Sequence, residues 1–383
     1  MSASGLGTDL PLEAHRAEVN VKVGQVRALM VDQGLGAVLL TNQSSVAWLG
    51  AGLSDRVLRD RQEGLVWAVV THEGLHLIAW DTEQVRLESE EAILALGCMP
   101  HYVAWPADDR ETIVRDLAPL VRIGGDRPGY DVDCSLELRE LRSQLTPQEG
   151  RRLGALSKLV TSQLEEALRG AGPGVAEREL AGSIAGSLEA KGVVPLVLLV
   201  GTGPRLTAFR HWVPTSQPIE RAVVATVAGE WRGLVSIVTR TVWFGVDEAT
   251  RIYQDRVMAV AAAAAAASQV GASWGSALEE AAATYDAYGH RGEWRRHFQG
   301  GAVGYDTREF SPGPLREPNH WSQHRITAGQ AFAWNPTLPG VKSEDTYLVE
   351  PEGPVLLTDT GDWPTVRLVH RGVTVEVPDA LVA

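Results

Sequence analysis

The chain has 383 residues, a net charge of −13 at pH 7 and a sequence pI of about 5.3. This acidity argues against a nucleic-acid partner and an anionic membrane surface, because both are recognised through lysine and arginine. Two cysteines, Cys98 and Cys134, are too few for a disulfide framework. The start of the chain lacks a cationic segment followed by an apolar run, and the longest apolar stretch, 257–267, is too short to span a bilayer. We therefore predict a cytoplasmic protein of two domains.

The first part of the chain, residues 1–143, predicts a small α/β domain. Apolar residues at helical spacing indicate a helix over 13–33, and a short apolar run after two glycines indicates a buried strand over 37–41. Two β-rich runs separated by His72-Glu73-Gly74 predict a hairpin over 65–80. The remaining expected elements are a helix near 82–96, a strand near 101–105 and a helix over 110–120.

The second part, residues 147–383, predicts an α+β domain. It opens with Thr146, Pro147 and Glu149, which supply an N-cap, a favourable first helical residue and a capping box. The next expected elements, in chain order, are helices over 147–169 and 174–191, strands over 194–201, 221–229 and 233–243, and a long helix over 248–268. A further helix is expected to begin at Ser276 with another capping box, and residues 297–376 are expected to be mostly strand and loop.

Five segments of the second part carry its most specific motifs. They are GVAERELAGSIAGSLEAKG (174–192), VGTGPRLTAFRHWVP (200–214), VVATVAGEWRGLVSIVTRT (223–241), HFQGGAVGYDTREF (297–310) and AFAWNPTLPGVKSEDTYLV (331–349). In this order they resemble the pita-bread family, which holds methionine aminopeptidase, Xaa-Pro aminopeptidase, Xaa-Pro dipeptidase (prolidase) and the metal-free enzyme creatinase. The resemblance implies a pita-bread domain over 147–383 after a smaller creatinase-type α/β domain. It also implies a homodimer formed through the N-terminal domain, which a mass from light scattering would test.

The family resembled here holds two divalent metal ions with two Asp, one His and two Glu, which are ligands suited to such ions. Aligned on the motifs, these ligands fall in chain order on Thr226, Ile237, Gly301, Asn335 and Glu344. A second family histidine, which is followed by an acid, falls on Arg308 beside Glu309. A lone carboxylate cannot hold two divalent ions. The sequence therefore predicts a divergent member with a dismantled dinuclear site and no metal cofactor.

Several polar residues remain to line the pocket. His211 stands where the family has a substrate-side histidine, and His297 precedes the glycine pair. Lys342 or Arg308 is expected to keep Glu344 ionised by pairing with it. With three carboxylates lost, the pocket should attract cations weakly and accept an anionic group such as a substrate carboxylate. The alternative interpretation is that these residues are structural remnants of an inherited cleft.

Three functions remain open at this point. The first is a homologue that binds a small peptide or amide and has little or no metallopeptidase activity. The second, implied by the resemblance to creatinase, is a metal-independent C–N hydrolase in which His211 and Glu344 serve as acid and base, although Asn335 cannot transfer a proton. The third is a metal-dependent proline dipeptidase whose ligands lie elsewhere, with Glu230, Asp247 and Asp306 as the nearest spare acids.

Overall fold

The computed structural model of the protein describes residues 11–55 and 57–383. Residues 1–10, where the expected absence of a signal sequence would have to be judged, lie outside the described residues. By its internal contacts the chain divides into two compact units, one ending at Arg142 and the other comprising Ser143–Ala383. In the described part of the chain, no helix combines the length and the apolarity that are needed to cross a membrane.

The first unit is built around one mixed sheet. Its elements are α1 (Leu12–Gln33), β1 (Ala37–Asn42), α2 (Gln43–Leu49), β2 (Glu63–Thr71), β3 (Leu75–Trp80), α3 (Gln84–Ser89), β4 (Met99–Val103), α4 (Arg110–Leu117), β5 (Ile123–Gly125), β6 (Val132–Asp133) and α5 (Ser135–Ser143). The strands lie in the order β4-β3-β2-β1-β5-β6. β2 pairs antiparallel with β1 and β3, whereas the outer strands pair in parallel. The predicted hairpin is thus confirmed.

Two helix predictions for this unit are wrong in length. The helix expected near 82–96 ends at Ser89, and Ala92 then takes a left-handed conformation with φ of 50°, which a continuing helix cannot accommodate. The helix expected over 110–120 ends at Leu117, because Pro119 disfavours the helical conformation at the residue before it. The strand expected near 101–105 begins earlier, at Met99, and ends at Val103. The short helices α2 and α5 were not predicted.

The second unit combines two four-stranded sheets with four long helices. Its elements are α6 (Pro147–Gly170), α7 (Glu177–Glu189), β7 (Val194–Thr202), α8 (Arg205–Ala208), β8 (Ala222–Trp231), β9 (Leu234–Trp243), α9 (Glu248–Ala267), α10 (Trp274–Ala287), β10 (Gly300–Val303), β11 (Ala331–Trp334), β12 (Thr337–Leu338), β13 (Val341–Lys342), β14 (Asp345–Glu350), β15 (Gly353–Leu356), β16 (Thr365–His370), β17 (Val373–Pro378) and β18 (Leu381–Val382). The two larger sheets have the orders β18-β9-β8-β7 and β10-β11-β14-β15.

Local sequence explains where the helices of this unit begin. At α6 the Thr146 hydroxyl accepts the Glu149 N–H at 3.1 Å, and the Glu149 carboxylate accepts the Thr146 N–H at 2.7 Å, so the predicted capping box is confirmed. The expected start of α10 at Ser276 is wrong. The helix begins at Trp274, because Ser273 is the N-cap and Ser276 is its partner three residues on.

The main core of the second unit lies between the helices α9 and α10 and the sheet that contains β11 and β14. The alanines of α9 are buried, and their small side chains allow close approach to α10. Large aromatic side chains fill the remaining space, among them Trp274, Tyr285, Phe332 and Trp334. This core supports the strand ends that carry the candidate site.

Candidate functional site

The positions of the family's two aspartates lie on the paired strands β8 and β9. Thr226 is opposite Thr239 and Ala228 is opposite Ile237, so Thr226 and Ile237 are diagonal neighbours on one face of the sheet. Both side chains are buried, and the Thr226 and Thr239 hydroxyls are 2.7 Å apart in a hydrogen bond. The strand pairing therefore keeps the two aspartate positions next to each other, but the side chains there are a hydroxyl (Thr226) and a hydrocarbon (Ile237).

The side of β9 that faces away from β8 connects these positions to the second sheet. The Thr346 hydroxyl bonds both the N–H and the carbonyl of Ile237, each at 2.8 Å. The Thr239 N–H donates to the carbonyl of Glu344 at 2.7 Å. Glu344 is therefore held next to the strand pair by backbone contacts, whatever its side chain does.

Glu344 lies between two cations of the same chain. Arg308 Nη2 is 2.6 Å from Glu344 Oε1, and Lys342 Nζ is 2.9 Å from Oε2. The Glu344 and Lys342 side chains are only 2% and 3% exposed. Burial by itself would raise the pKa of the Glu344 carboxyl, but Lys342 and Arg308 together hold that pKa below its usual value. We call these three residues the ion cluster.

The other two ligand positions also lack a donor suited to a metal. Gly301 has φ of 153°, and a Cβ added there would lie 2.2 Å from the carbonyl oxygen of Phe310. Asn335 is buried, and its N–H donates to the Gln299 carbonyl at 3.0 Å. Its side-chain Oδ1 is buried without a hydrogen-bond partner in the described part of the chain. An amide oxygen is a weaker cation ligand than the carboxylate that the family has at this position.

Two histidines lie beside the ion cluster. The rings of His211 and His297 are 5.2 Å apart between centroids. His297 Nδ1 is 3.0 Å from the Thr337 hydroxyl and 3.3 Å from the Asn335 carbonyl. Its Nε2 is buried and has no hydrogen-bond partner among residues 11–55 and 57–383. The structure thus brings together His211, His297, Lys342, Glu344 and Arg308.

Both histidines are held in the neutral form. Burial lowers the pKa of His297 to about 4, and the nearby Lys342 cation adds to this effect. Partial burial and Lys342 also lower the pKa of His211, while Glu344 acts in the opposite direction. Neutral imidazoles can accept a proton, but the low pKa makes His297 a weak base at neutral pH.

Glu309 bonds within the loop that follows β10. Its carboxylate accepts the Tyr305 N–H at 2.8 Å, and the Tyr305 hydroxyl donates to Glu149 on α6 at 2.6 Å. Glu309 therefore orders the 304–309 loop that presents Arg308. The Arg308 guanidinium in turn lies over the ring of Phe298, 5.3 Å from its centroid.

Two residues of this region were not singled out from the sequence. Thr337 orients His297, but no sequence pattern around Thr337 predicts that role. Arg240, in the Thr239-Arg240-Thr241 segment, is fully buried and bonds Glu165 at 2.9 Å and Asp345 at 2.7 Å. The feature that could have identified Arg240 is an arginine in the middle of a strand, and the structure buries this strand along its whole length.

The spare acids do not rebuild a metal site. Asp247 caps α9 by accepting the Thr250 N–H at 2.9 Å, and Glu230 closes the β8–β9 hairpin by accepting the Gly233 N–H. Asp306 accepts the Thr307 hydroxyl at 3.2 Å. Over residues 11–55 and 57–383, no group of three or more His, Cys, Asp or Glu side chains could hold a metal ion. The donors present do not fit the dinuclear centre that the resemblance implies.

The depressed pKa of His297 predicts a pH-dependent stability. The folded ring has a pKa of about 4 against 6.5 for an ordinary histidine, so the unfolded chain binds more protons between these values. The stabilisation that the neutral His297 ring contributes is therefore fully present above the ordinary pKa, and it is lost as the pH falls toward the pKa of the folded state. We expect the loss of this contribution to lower the unfolding free energy by about 2 kcal/mol when the pH falls from about 7 to about 4.5. Urea unfolding at both pH values, with His297→Gln as the comparison, measures this. Equal pH slopes for the two proteins would contradict the prediction.

Comparison with known proteins places this geometry in a family. Residues 150–351 match metallopeptidase family M24. The prolidase from Pyrococcus horikoshii OT3 is similar in structure, with 19% identity and a TM-score of 0.74 over 88% of this chain and 98% of that chain. The Xaa-Pro dipeptidase from Bacillus anthracis has 18% identity and a TM-score of 0.72, over 95% and 100% of the two chains. The N-terminal domain of FACT complex subunit SPT16 from Cicer arietinum (chickpea) has 12% identity and a TM-score of 0.65, over 93% and 97%. No curated protein matches the sequence.

At these identities the similar structures establish the fold, and the predicted pita-bread fold class is confirmed. The same fold occurs in a prolidase, an Xaa-Pro dipeptidase and a subunit of the FACT complex. The family match covers more than half of the chain and contains the strand pair, the glycine pair and the ion cluster. The chain therefore belongs to metallopeptidase family M24.

Proposed function

We propose that this protein is an Xaa-Pro dipeptidase-like member of its family that binds a small peptide or amide and has little or no metallopeptidase activity. One observation carries the proposal. Glu344, the only carboxylate at the five ligand positions, has both oxygens engaged by cations of its own chain. A homodimer and a cytoplasmic location remain predictions alongside it.

Electrostatics argues against a metal ion at this place. A divalent ion would have to displace Lys342 and Arg308 from Glu344 and would then stand beside two positive charges in a buried setting. Like charges at a separation of about 4 Å repel by about 4 kcal/mol at the effective dielectric of a protein surface, and by more when they are buried. Thr226, Ile237 and Gly301 offer no anionic ligand in compensation.

A metal-independent C–N hydrolase is the second candidate, and the histidine pair is the observation that favours it. The roles must differ from those expected from the sequence. Glu344 is a poor base, because two cations stabilise its ionised form and lower its pKa. The pKa of about 4 makes His297 a weak base as well, so the proton transfer in such a reaction would fall on His211, whose ring centroid is 5.2 Å from that of His297.

Metal binding and proline release test the proposal together. The protein is incubated with a panel of Xaa-Pro dipeptides, with Mn²⁺ and with chelator in parallel, and the bound metal is measured after desalting. We expect no proline release in either condition and no stoichiometric metal. Stoichiometric Mn²⁺ with metal-dependent release would overturn the proposal in favour of a genuine proline dipeptidase. Release that survives the chelator would favour the metal-independent hydrolase, and His211→Gln should then abolish it.

A further inference from the structure

We propose that Glu177 is the positioning residue for His211, because it closes the segment 203–215, here called the His211 loop, and thereby holds the His211 ring in the candidate site. The inference rests on the proposed function, since it concerns how the same cleft keeps an exposed histidine in place for a ligand. Glu177 lies in the segment 174–192, which carries one of the family motifs but supplies none of the five ligand positions. A role at the metal site therefore does not explain this carboxylate.

The Glu177 side chain is a buried carboxylate whose hydrogen-bonding capacity is in use. It is the first residue of α7 and is 0% exposed. Its Oε1 accepts the Thr202 N–H at 3.0 Å and the Arg205 Nε at 3.1 Å. Its Oε2 accepts the Thr215 N–H at 2.8 Å and the Thr215 hydroxyl at 2.6 Å. Because a buried carboxylate is costly without partners, these bonds must stay in place for the burial of Glu177 to be tolerated.

The donors to Glu177 come from the two ends of the His211 loop. Thr202 is the last residue of β7, and Arg205 is the first residue of α8. Thr215 is the last residue of the loop. Arg205 adds a connection near this end, because its Nη2 donates to the Val213 carbonyl at 2.7 Å. Glu177 therefore holds the beginning and the end of the loop together.

His211 lies within this loop between two residues that are fixed from elsewhere. Trp212 is fully buried, and Arg210 pairs with Glu293. His211 itself is exposed, and its ring centroid is 5.2 Å from that of His297. An exposed ring gains little free energy from burial, so its place in the cleft depends on the conformation of the loop that carries it.

The surroundings of the ring give its position a measurable signature. In the closed loop, partial burial and the Lys342 cation lower the pKa of His211, Glu344 raises it, and the neutral His297 ring adjoins it. A ring that moves out of the cleft would lose the burial, and its pKa would rise toward that of an exposed histidine. Removal of the Glu177 charge by itself acts in the opposite direction, because a lost carboxylate disfavours the imidazolium. The sign of the pKa change therefore separates displacement of the ring from a direct effect of charge.

Glu177→Gln in the ligand-free protein tests the proposal. The new amide presents an NH₂ group to donors that the carboxylate accepted, so bonds to the loop are lost. We expect the pKa of His211, measured by NMR titration of histidine-labelled protein, to rise relative to the wild type. Glu179→Gln is the matched control, because Glu179 is an exposed carboxylate in the same turn of α7 and its amide can still accept the Ala176 N–H. This control should leave the pKa of His211 unchanged.

A second control separates positioning from general loosening of α7. Leu180→Ala removes a buried side chain from the same helix and should lower the melting temperature while the pKa of His211 stays at its wild-type value. An equal rise in Leu180→Ala and Glu177→Gln would overturn the positioning role. A His211 pKa in Glu177→Gln that is unchanged or lower than in the wild type would overturn it as well. So would a wild-type His211 that titrates as an exposed histidine, because its ring would then lie outside the cleft.

A pair of threonine variants tests the same contact with a smaller change. Thr215→Val removes the hydroxyl that donates to Glu177 and keeps a side chain of similar shape. It should raise the pKa of His211. Thr207→Val removes a hydroxyl that bonds the Pro204 carbonyl at 3.0 Å in the same loop, and it should have no effect. If Glu177→Gln does not fold, as judged by circular dichroism, this pair decides, and an unchanged His211 in Thr215→Val would overturn the proposal.

The titration needs no ligand, so its outcome is independent of the function on which the inference rests. Metal-dependent proline release, together with a raised His211 pKa in Glu177→Gln, would overturn the proposed function and retain the positioning role. An unchanged His211 pKa in that variant, with no proline release and no stoichiometric metal, would overturn the positioning role and leave the proposed function standing.

Discussion

Arg240→Met should lower the unfolding free energy of this protein by about 3–5 kcal/mol, the usual effect of breaking a buried ion pair from one side. Arg240 is fully buried and bonds Glu165 on α6 and Asp345 on β14, with further bonds to the carbonyls of Thr239 and Thr358. Removal of the guanidinium leaves two buried carboxylates without a cation. Because Asp345 follows Glu344 directly, the same change should loosen the segment that holds the ion cluster. Urea unfolding measures the loss.

Two comparison variants identify the cause. Arg367→Met breaks an exposed pair with Glu376, and we expect a change within about 0.5 kcal/mol, as is usual for surface ion pairs. The triple variant Arg240→Met/Glu165→Gln/Asp345→Asn removes all three charges and should recover most of the lost stability. A single Arg240→Met variant as stable as the wild type would show that the buried network does not hold the sheet and helix together.

Gly301→Ala should destabilise the protein by about 3 kcal/mol, an effect typical of backbone strain combined with a steric clash. Gly301 has φ of 153° and lies opposite Ala333 in the β10–β11 pair. A Cβ at this position would meet the Phe310 carbonyl oxygen at 2.2 Å, and backbone cannot yield as the end of a side chain can. A histidine at 301 must contain the same Cβ. Restoring the family's ligand by this substitution alone should therefore damage the fold before it helps to bind metal.

Gly182→Ala is the matched control for this prediction. Gly182 lies inside α7, and apart from its chain neighbours and the backbone of its own helix no atom in the described part of the chain comes within 4 Å of a Cβ added there. We expect the alanine to stabilise the helix by about 0.5–1 kcal/mol. Thermal unfolding of both variants and the wild type gives the comparison. A Gly301→Ala protein that melts with the wild type would show that β10 can move away from Phe310.

These two sites show how the fold can be held together at positions that lack the family's metal ligands. The Arg240 network joins helix, strand and sheet independently of any metal, so it can preserve the positions of Thr226, Ile237 and Glu344. At the one ligand position that keeps a carboxylate, Lys342 and Arg308 pair with Glu344.

The sequence by itself determined the family, the order of the main elements and the identity of the residues at the five ligand positions. These properties depend on residue type, local periodicity and spacing, as the Thr146–Glu149 capping box and the β8–β9 pair illustrate. It also named His211, His297, Lys342 and Arg308 as pocket residues, and it offered either cation as a partner for Glu344.

Only the tertiary structure decided how these residues act on one another. Both cations reach Glu344, because the 304–309 loop and the β13–β14 turn meet at the edge of β9. Burial and Lys342 make His297 neutral, and Thr337 sets its orientation. Gly301 is confined by Phe310, nine residues later in the chain. Distances, burial and charge compensation arise from contacts between segments far apart in sequence, so no local pattern can specify them.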